Sequence, residues 1–257
     1  MSFWGKLIGG TAGFAIAGPI GALLGLAAGH GVDKASNNSE KNNQKSFNNF
    51  SDIEKKEQIF ATGVIALSAK LAKIDGKVSE EEILTFKKVF EFSKGDEKNI
   101  ASLFNVAKKD IHNFDDYAKQ LYNEFKHEKS ILLEILNALF AIAYSDKIFH
   151  PKEEAMLKKI AIIFMLNNSD YESIKNLFNY SENDISERLK SYYKVLGAKP
   201  EDDMEKVNNN YKKIVREYHP DRLQGLGLPK DFINLANKKL ATVNEAYNEI
   251  KKQRKKN

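Results

Sequence analysis

"REYHPDRL", Arg216 to Leu223, interrupts a polar run with helical spacing and leads into "QGLGLP". Pro220 has no amide proton for a helix, and it pushes His219 out of helical backbone angles. The tripeptide His219-Pro220-Asp221 therefore ends one helix and begins a loop. Upstream, at about 100° per residue, Val207, Tyr211, Ile214 and Tyr218 share one stripe. Lys206, Lys212, Lys213 and Arg216 fall on the other side. Downstream, "FINLANKKLATVNEAYNEI" repeats Leu240, Val243, Tyr247 and Ile250 at helical spacing. Two apolar stripes joined by a longish loop predict an antiparallel helical hairpin. "KPEDD" supplies the start of its first helix, with Asp202 or Asp203 as N-cap. Before that, a short apolar stretch, "YYKVLG", ends in Gly197.

These elements come in a specific order: "YYKVLG", a basic helix, His-Pro-Asp, then "NEAYNEI". In that order they resemble a J-domain, the DnaJ-type partner of DnaK-type chaperones, over about residues 191–253. The resemblance implies a protein that triggers ATP hydrolysis on a chaperone and hydrolyses nothing itself, so not an enzyme, with no cofactor. It also implies that His219, Pro220 and Asp221 form the signal, and that Lys212, Lys213 and Arg216 form the basic docking face of the second helix. The physics agrees: a basic stripe steers toward an acidic partner and weakens with salt. An aspartate at a rigid tip can pair with a cation on that partner. Asn208, Asn209 and Asn210 stand where the family often has basic residues and an alanine. Fewer charges there imply slower or weaker docking.

Composition frames the rest. The chain has 257 residues, no cysteine and a net charge of +5. Disulfides and thiolate zinc sites are excluded. Residues 1–50 carry +2, residues 51–189 carry −4 and residues 190–257 carry +7. A basic module behind an acidic middle points to two units with different partners. The final "KKQRKKN" reads as a solvated tail, and no nucleic acid is expected as a partner.

Residues 51–180 are helical by periodicity, as in "EQIFATGVIALSAKLAKI" and "SILLEILNALFAIAYS". No alternating strand pattern or Asn-Gly hairpin interrupts them. The fold class is all-α: a helical bundle followed by the hairpin module. "AKIDGKVSEEEIL" at 72–84 matches "AYSDKIFHPKEEA" at 143–155. Each copy places a glutamate seven residues after an aspartate: Asp75 with Glu82, and Asp146 with Glu153. This duplication resembles the TerB-like tellurite-resistance domain, over roughly residues 55–180. Lys147 departs from the glycine of the first copy.

Two readings of the acids stay open. Four carboxylates could gather around a hard divalent cation. Alternatively Ser79-x-x-Glu82 and His150-Pro151-x-Glu153 are capping boxes, with the aspartates bonded in their turns, and this reading is favoured. His112, His127 and His150 show no ligand spacing. No catalytic constellation is present in the sequence.

At the N-terminus, 26 residues from Leu7 to Val32 contain no Asp, Glu, Lys or Arg. As a helix they are long enough for a ~30 Å hydrocarbon core. Gly9, Gly13, Ala17, Gly21, Gly25 and Gly29 recur every fourth residue, a stripe that allows close helix packing and self-association as a homodimer. Lys34, Lys41, Lys45, Lys55 and Lys56 follow the span, which places the bulk of the chain in the cytoplasm, anchored by a single pass to the inner membrane. A cleaved signal peptide and a re-entrant hairpin around Pro19 are the rivals. "SNNSEKNNQKSFNNF" reads as a flexible tether.

The expected organisation is an anchor at 1–32, a flexible linker at 33–52 and a TerB-like domain at 53–180. A short linker at 181–190 then leads to a J-domain with basic tail at 191–257. The whole resembles the DjlA type of membrane-anchored J-protein. Its implied partners are a DnaK-type ATPase chaperone and the lipid bilayer. The alternative is a membrane-tethered sensor or scaffold whose TerB-like domain binds a metal ion or protein.

Overall fold

The computed structural model describes residues 16–32, 51–76, 78–90, 95–146, 149–178 and 185–255. Among these residues there are helices and turns and no strand. The first helix is α1 (Pro19–Val32). The bundle then comprises α2 (Asp52–Leu71), α3 (Glu80–Phe90), α4 (Glu97–Ala107), α5 (Phe114–Phe125), α6 (Lys129–Ala143), α7 (Pro151–Ile163) and α8 (Asn168–Phe178). The C-terminal module comprises α9 (Ile185–Val195), α10 (Met204–Glu217), α11 (Pro220–Gly225) and α12 (Lys230–Arg254).

The centre of the bundle is α2. Ser51 opens it with a reciprocal cap: the Glu54 amide donates to Ser51 Oγ at 3.2 Å, and the Ser51 amide donates to Glu54 Oε2 at 2.9 Å. From Phe60 to Leu71 every residue is buried, so this stretch is surrounded rather than laid on a surface. It packs on α4, α5 and α6.

The glycine-rich stretch is partly a bundle helix. Ile16, Ile20, Leu23, Leu24 and Ala27 are buried in the same core as α2. Gln120 of α5 caps α1: its Oε1 accepts from the Ile20 amide at 3.1 Å, and its Nε2 donates to the Ala17 carbonyl at 2.8 Å. At 14 residues α1 is short, and among the described residues no helix is long and apolar enough to cross a membrane. Of the small-residue stripe, Ala17 is exposed, Gly21 buried and Gly25 half-buried; Gly29 lies within α1. Gly9, Gly13 and residues 33–50 of the linker expected at 33–52 lie outside the described residues; its last two residues, Ser51 and Asp52, are instead the N-cap and the first residue of α2.

In the C-terminal module α9 begins at Ile185, ahead of the start expected at Ser191. Tyr193, Leu196, Val207, Val243, Ala246 and Ile250 form its own small core. Tyr211 and Tyr247 stack across the hairpin, with centroids 4.1 Å apart and planes at 14°. Two expected members of the stripe go elsewhere. Tyr218 and Leu240 join the large core of the bundle. The cause is the length of α12: its 25 residues reach past the hairpin, and Phe232, Ile233 and Ala236 in its first half are buried with the bundle.

Candidate functional site

The tripeptide is a helix start as well as a helix stop. Tyr218 closes α10, its amide donating to the Ile214 carbonyl at 2.9 Å. His219 then adopts extended angles, φ −62° and ψ 131°, and becomes the N-cap of α11. Its Nδ1 accepts from the Asp221 amide at 3.3 Å, and Pro220 occupies the first helical position, where its missing donor costs nothing. The expected open loop is thus a tight corner followed by a short helix. His219 and Asp221 face solvent, with side chains 54% and 90% exposed, so the corner is presented and not packed.

Lys212, Lys213 and Arg216 are exposed on α10. Lys213 lies 3.9 Å from Glu217, a weak surface pair. Asp203 is the N-cap of α10, accepting from the Lys206 amide at 2.7 Å. Asn208 and Asn210 have structural duties. Asn208 accepts from the Tyr247 hydroxyl at 3.3 Å, and Asn210 donates to the Gly197 carbonyl at 2.9 Å. These two side chains tie α10 to its neighbours, and Asn209 is exposed.

The opposite side of the corner lies on the bundle. The Tyr218 hydroxyl donates to the Ser130 carbonyl at 3.3 Å and reaches Glu134 at 3.5 Å. Lys239 of α12 pairs with Glu134 at 2.5 Å and sits 4.7 Å above the Tyr218 ring. Burial alone would lower the Lys239 ammonium's pKa, but the facing Glu134 carboxylate raises it above the usual lysine range. Burial pushes the Tyr218 phenol up to about 12. Arg222 pairs with Glu128 and donates to the Glu217 carbonyl at 2.9 Å. Leu223, Leu228 and Phe232 complete the contact, with Phe232 edge-on to Phe60 at 4.6 Å. Sequence reasoning missed Glu128, Glu134, Arg222 and Lys239. The one available signal was the Gly-Leu-Pro extension after α11, whose Leu228 is buried in the bundle core.

The duplicated acids come together. Glu82 accepts from the Ser79 amide at 2.7 Å, and Glu153 accepts from the His150 amide at 2.9 Å. The reciprocal bonds are present too: the Glu82 amide donates to Ser79 Oγ at 3.1 Å, and His150 Nδ1 accepts from the Lys152 amide at 3.3 Å. Both glutamates are buried. Burial raises their pKa values, Glu153 to about 7, and each feels the negative charge of Asp75 and Asp146. Among the described residues, no three His, Cys, Asp or Glu side chains converge to hold a metal ion. The caps account for the bonds that the glutamates make.

An exposed His-Pro-Asp corner after a basic helix, carried on a hairpin and joined to a helical bundle, defines a J-domain protein. Comparison with known families agrees. Residues 191–257 match the DnaJ domain, residues 61–176 match tellurite resistance protein TerB, and residues 1–41 match the co-chaperone DjlA transmembrane domain. The chain is similar along 99% of its length, and of theirs, to co-chaperone protein DjlA of Coxiella burnetii at 26% identity and of Escherichia coli K12 at 24%. The corresponding Yersinia pseudotuberculosis protein is 25% identical over the same share. No solved structure matches. Together these matches support a DjlA-type protein, one that joins a TerB domain to a J-domain.

Proposed function

We propose that this chain is a membrane-anchored co-chaperone that recruits a DnaK-type chaperone and stimulates its ATP hydrolysis. The observation that carries the reading is the exposed corner of His219, Pro220 and Asp221 beside the exposed Lys212, Lys213 and Arg216. The basic face gathers an acidic partner surface, and Asp221 meets a cation on it. Nothing in this division of labour asks the chain to make or break a bond itself.

Single-turnover ATP hydrolysis by the cognate chaperone tests the reading. His219→Gln should abolish stimulation while circular dichroism stays unchanged, because the side chain is exposed and its loss moves stability little. Arg216→Ala should need more protein for the same effect and should show a shallower salt dependence. Full stimulation by folded His219→Gln would return the tripeptide to a plain helix boundary.

A further inference from the structure

We propose that Glu128, which belongs to the TerB bundle, is a positioning residue for the J-domain's His-Pro-Asp corner. The inference rests on the chaperone-stimulating reading of that corner.

The geometry begins with Arg222. This residue directly follows Asp221, and its guanidinium donates through Nη1 to the Glu217 carbonyl at 2.9 Å. Glu217 ends α10 and Arg222 lies in α11, so this one side chain spans the tripeptide from behind. It fixes the angle at which the corner turns. A guanidinium donates in a rigid planar fork, so fixing its second arm fixes the first. The second arm belongs to Glu128, whose carboxylate pairs with Nη2. Glu128 sits just before α6, and its own carbonyl accepts from the Ile131 amide at 2.9 Å, so it is held by helical backbone. Both partners are partly shielded, Arg222 at 34% and Glu128 at 21% exposed, where charge-assisted bonds count for more than on open surface.

The same bundle edge makes further contacts behind the corner. Ser130 and Glu134 hold Tyr218, the residue before His219, and Glu134 holds Lys239. The residues on both sides of the tripeptide are therefore anchored to the TerB bundle while His219 and Asp221 face out. Coverage of this kind does not block the corner; it aims it. The J-domain is presented by its neighbour, and its signal depends on a residue outside its own sequence.

Two measurements on the full chain test this. The first is backbone amide exchange over residues 218–223, which needs no chaperone. Glu128→Gln should speed exchange there by about fivefold, the order expected for losing one partly shielded charge-assisted bond. The charge exchange Glu128→Arg with Arg222→Glu should leave exchange fast, because a carboxylate at position 222 cannot donate to the Glu217 carbonyl. The second is single-turnover chaperone ATPase. Glu128→Gln should lower maximal stimulation by a similar factor with the half-saturating concentration unchanged, unlike Arg216→Ala, which should shift the concentration. Exchange and maximal stimulation both equal to wild type in Glu128→Gln would overturn the proposal. Faster exchange in Glu128→Gln, together with a wild-type chain that stimulates no chaperone, would instead sink the co-chaperone reading and leave the positioning intact. Should Glu128→Gln unfold, Glu128→Asp serves, with a smaller shift in the same direction.

Discussion

Glu82 and Glu153 occupy the same position in two different helices, the third residue of α3 and of α7, and each closes a reciprocal cap on the residue that precedes its helix. Glu153 also senses Glu82, whose carboxylate contributes to its raised pKa. Duplication of a turn has brought two buried like charges near one another in a region already carrying Asp75 and Asp146.

The consequence is a dependence of stability on pH. Burial holds the folded pKa of Glu153 at about 7, above its ordinary value of 4.5, so the folded state binds the proton more tightly than the unfolded chain. The stabilisation from this proton is complete below about pH 4.5 and is lost as pH rises through about 7. Glu153→Gln keeps an acceptor for the cap and removes the charge. It should raise stability by roughly 1–2 kcal/mol at pH 8 and flatten the pH profile between 5 and 8. Urea unfolding at several pH values reads this directly. An unchanged profile would show that the carboxylate is ionised in the fold at no cost.

Lys70 is buried inside α2, and its ammonium donates to the Ala107 carbonyl at 3.2 Å, to Asn113 Oδ1 at 2.6 Å and to the Asp110 carbonyl. It also lies 4.7 Å over the Tyr117 ring. Burial lowers its pKa to about 8, against the opposing pull of Asp110. Lys70→Met would fill the volume but leave these acceptors without their donor. The expected cost is about 2–4 kcal/mol, measured by denaturant unfolding. A cost under about 0.5 kcal/mol would show that water replaces the ammonium.

Much of the fold is legible in the sequence because its signals are local. The 3.6-residue period marks the helices, the Ser79 and His150 boxes mark two starts, and Pro220 marks a corner. Its contacts across the chain are not local. Tyr218 fits the stripe of Val207 and Ile214 by angle, so nothing in α10 tells that its ring turns to Ser130 instead. Glu128, Glu134 and Lys239 look like solvated charges, since a pair formed across about a hundred residues leaves no spacing to read. Lys70 in "SAKLAK" reads as the polar edge of an amphipathic helix, and only a helix surrounded on all sides turns it inward.

Gly227 holds the J-domain close to the bundle. Its φ is +81°, and a β-carbon there would lie 2.9 Å from the Ile53 carbonyl oxygen and from Lys56 Cβ. Gly227→Ala meets both the backbone strain and the contact, at a combined cost of about 1–3 kcal/mol. The two domains should then unfold in separate steps where the wild type unfolds in one. A single transition with an unshifted midpoint in Gly227→Ala would mean that the loop yields without disturbing the contact.

The last prediction concerns the N-terminal segment, where two environments compete for the same apolar residues. Ile20, Leu23 and Leu24 are buried on the bundle, and the same side chains would favour a bilayer. A 14-residue helix spans about 21 Å, short of a hydrocarbon core of about 30 Å, so crossing needs residues ahead of Pro19 as well. Gln120 weighs on the docked side through its two bonds to the start of α1. Gln120→Leu removes both and should shift the chain toward the membrane, raising the fraction that resists carbonate extraction. Protease added to right-side-out spheroplasts should spare residues 33–257, as the lysines after the apolar run require. Leu at both Gly21 and Gly25 should reduce crosslinked dimer in the membrane fraction, because bulk on that stripe keeps helices apart. Carbonate-soluble wild-type protein, with no gain from Gln120→Leu, would leave α1 as a bundle helix and remove the anchor.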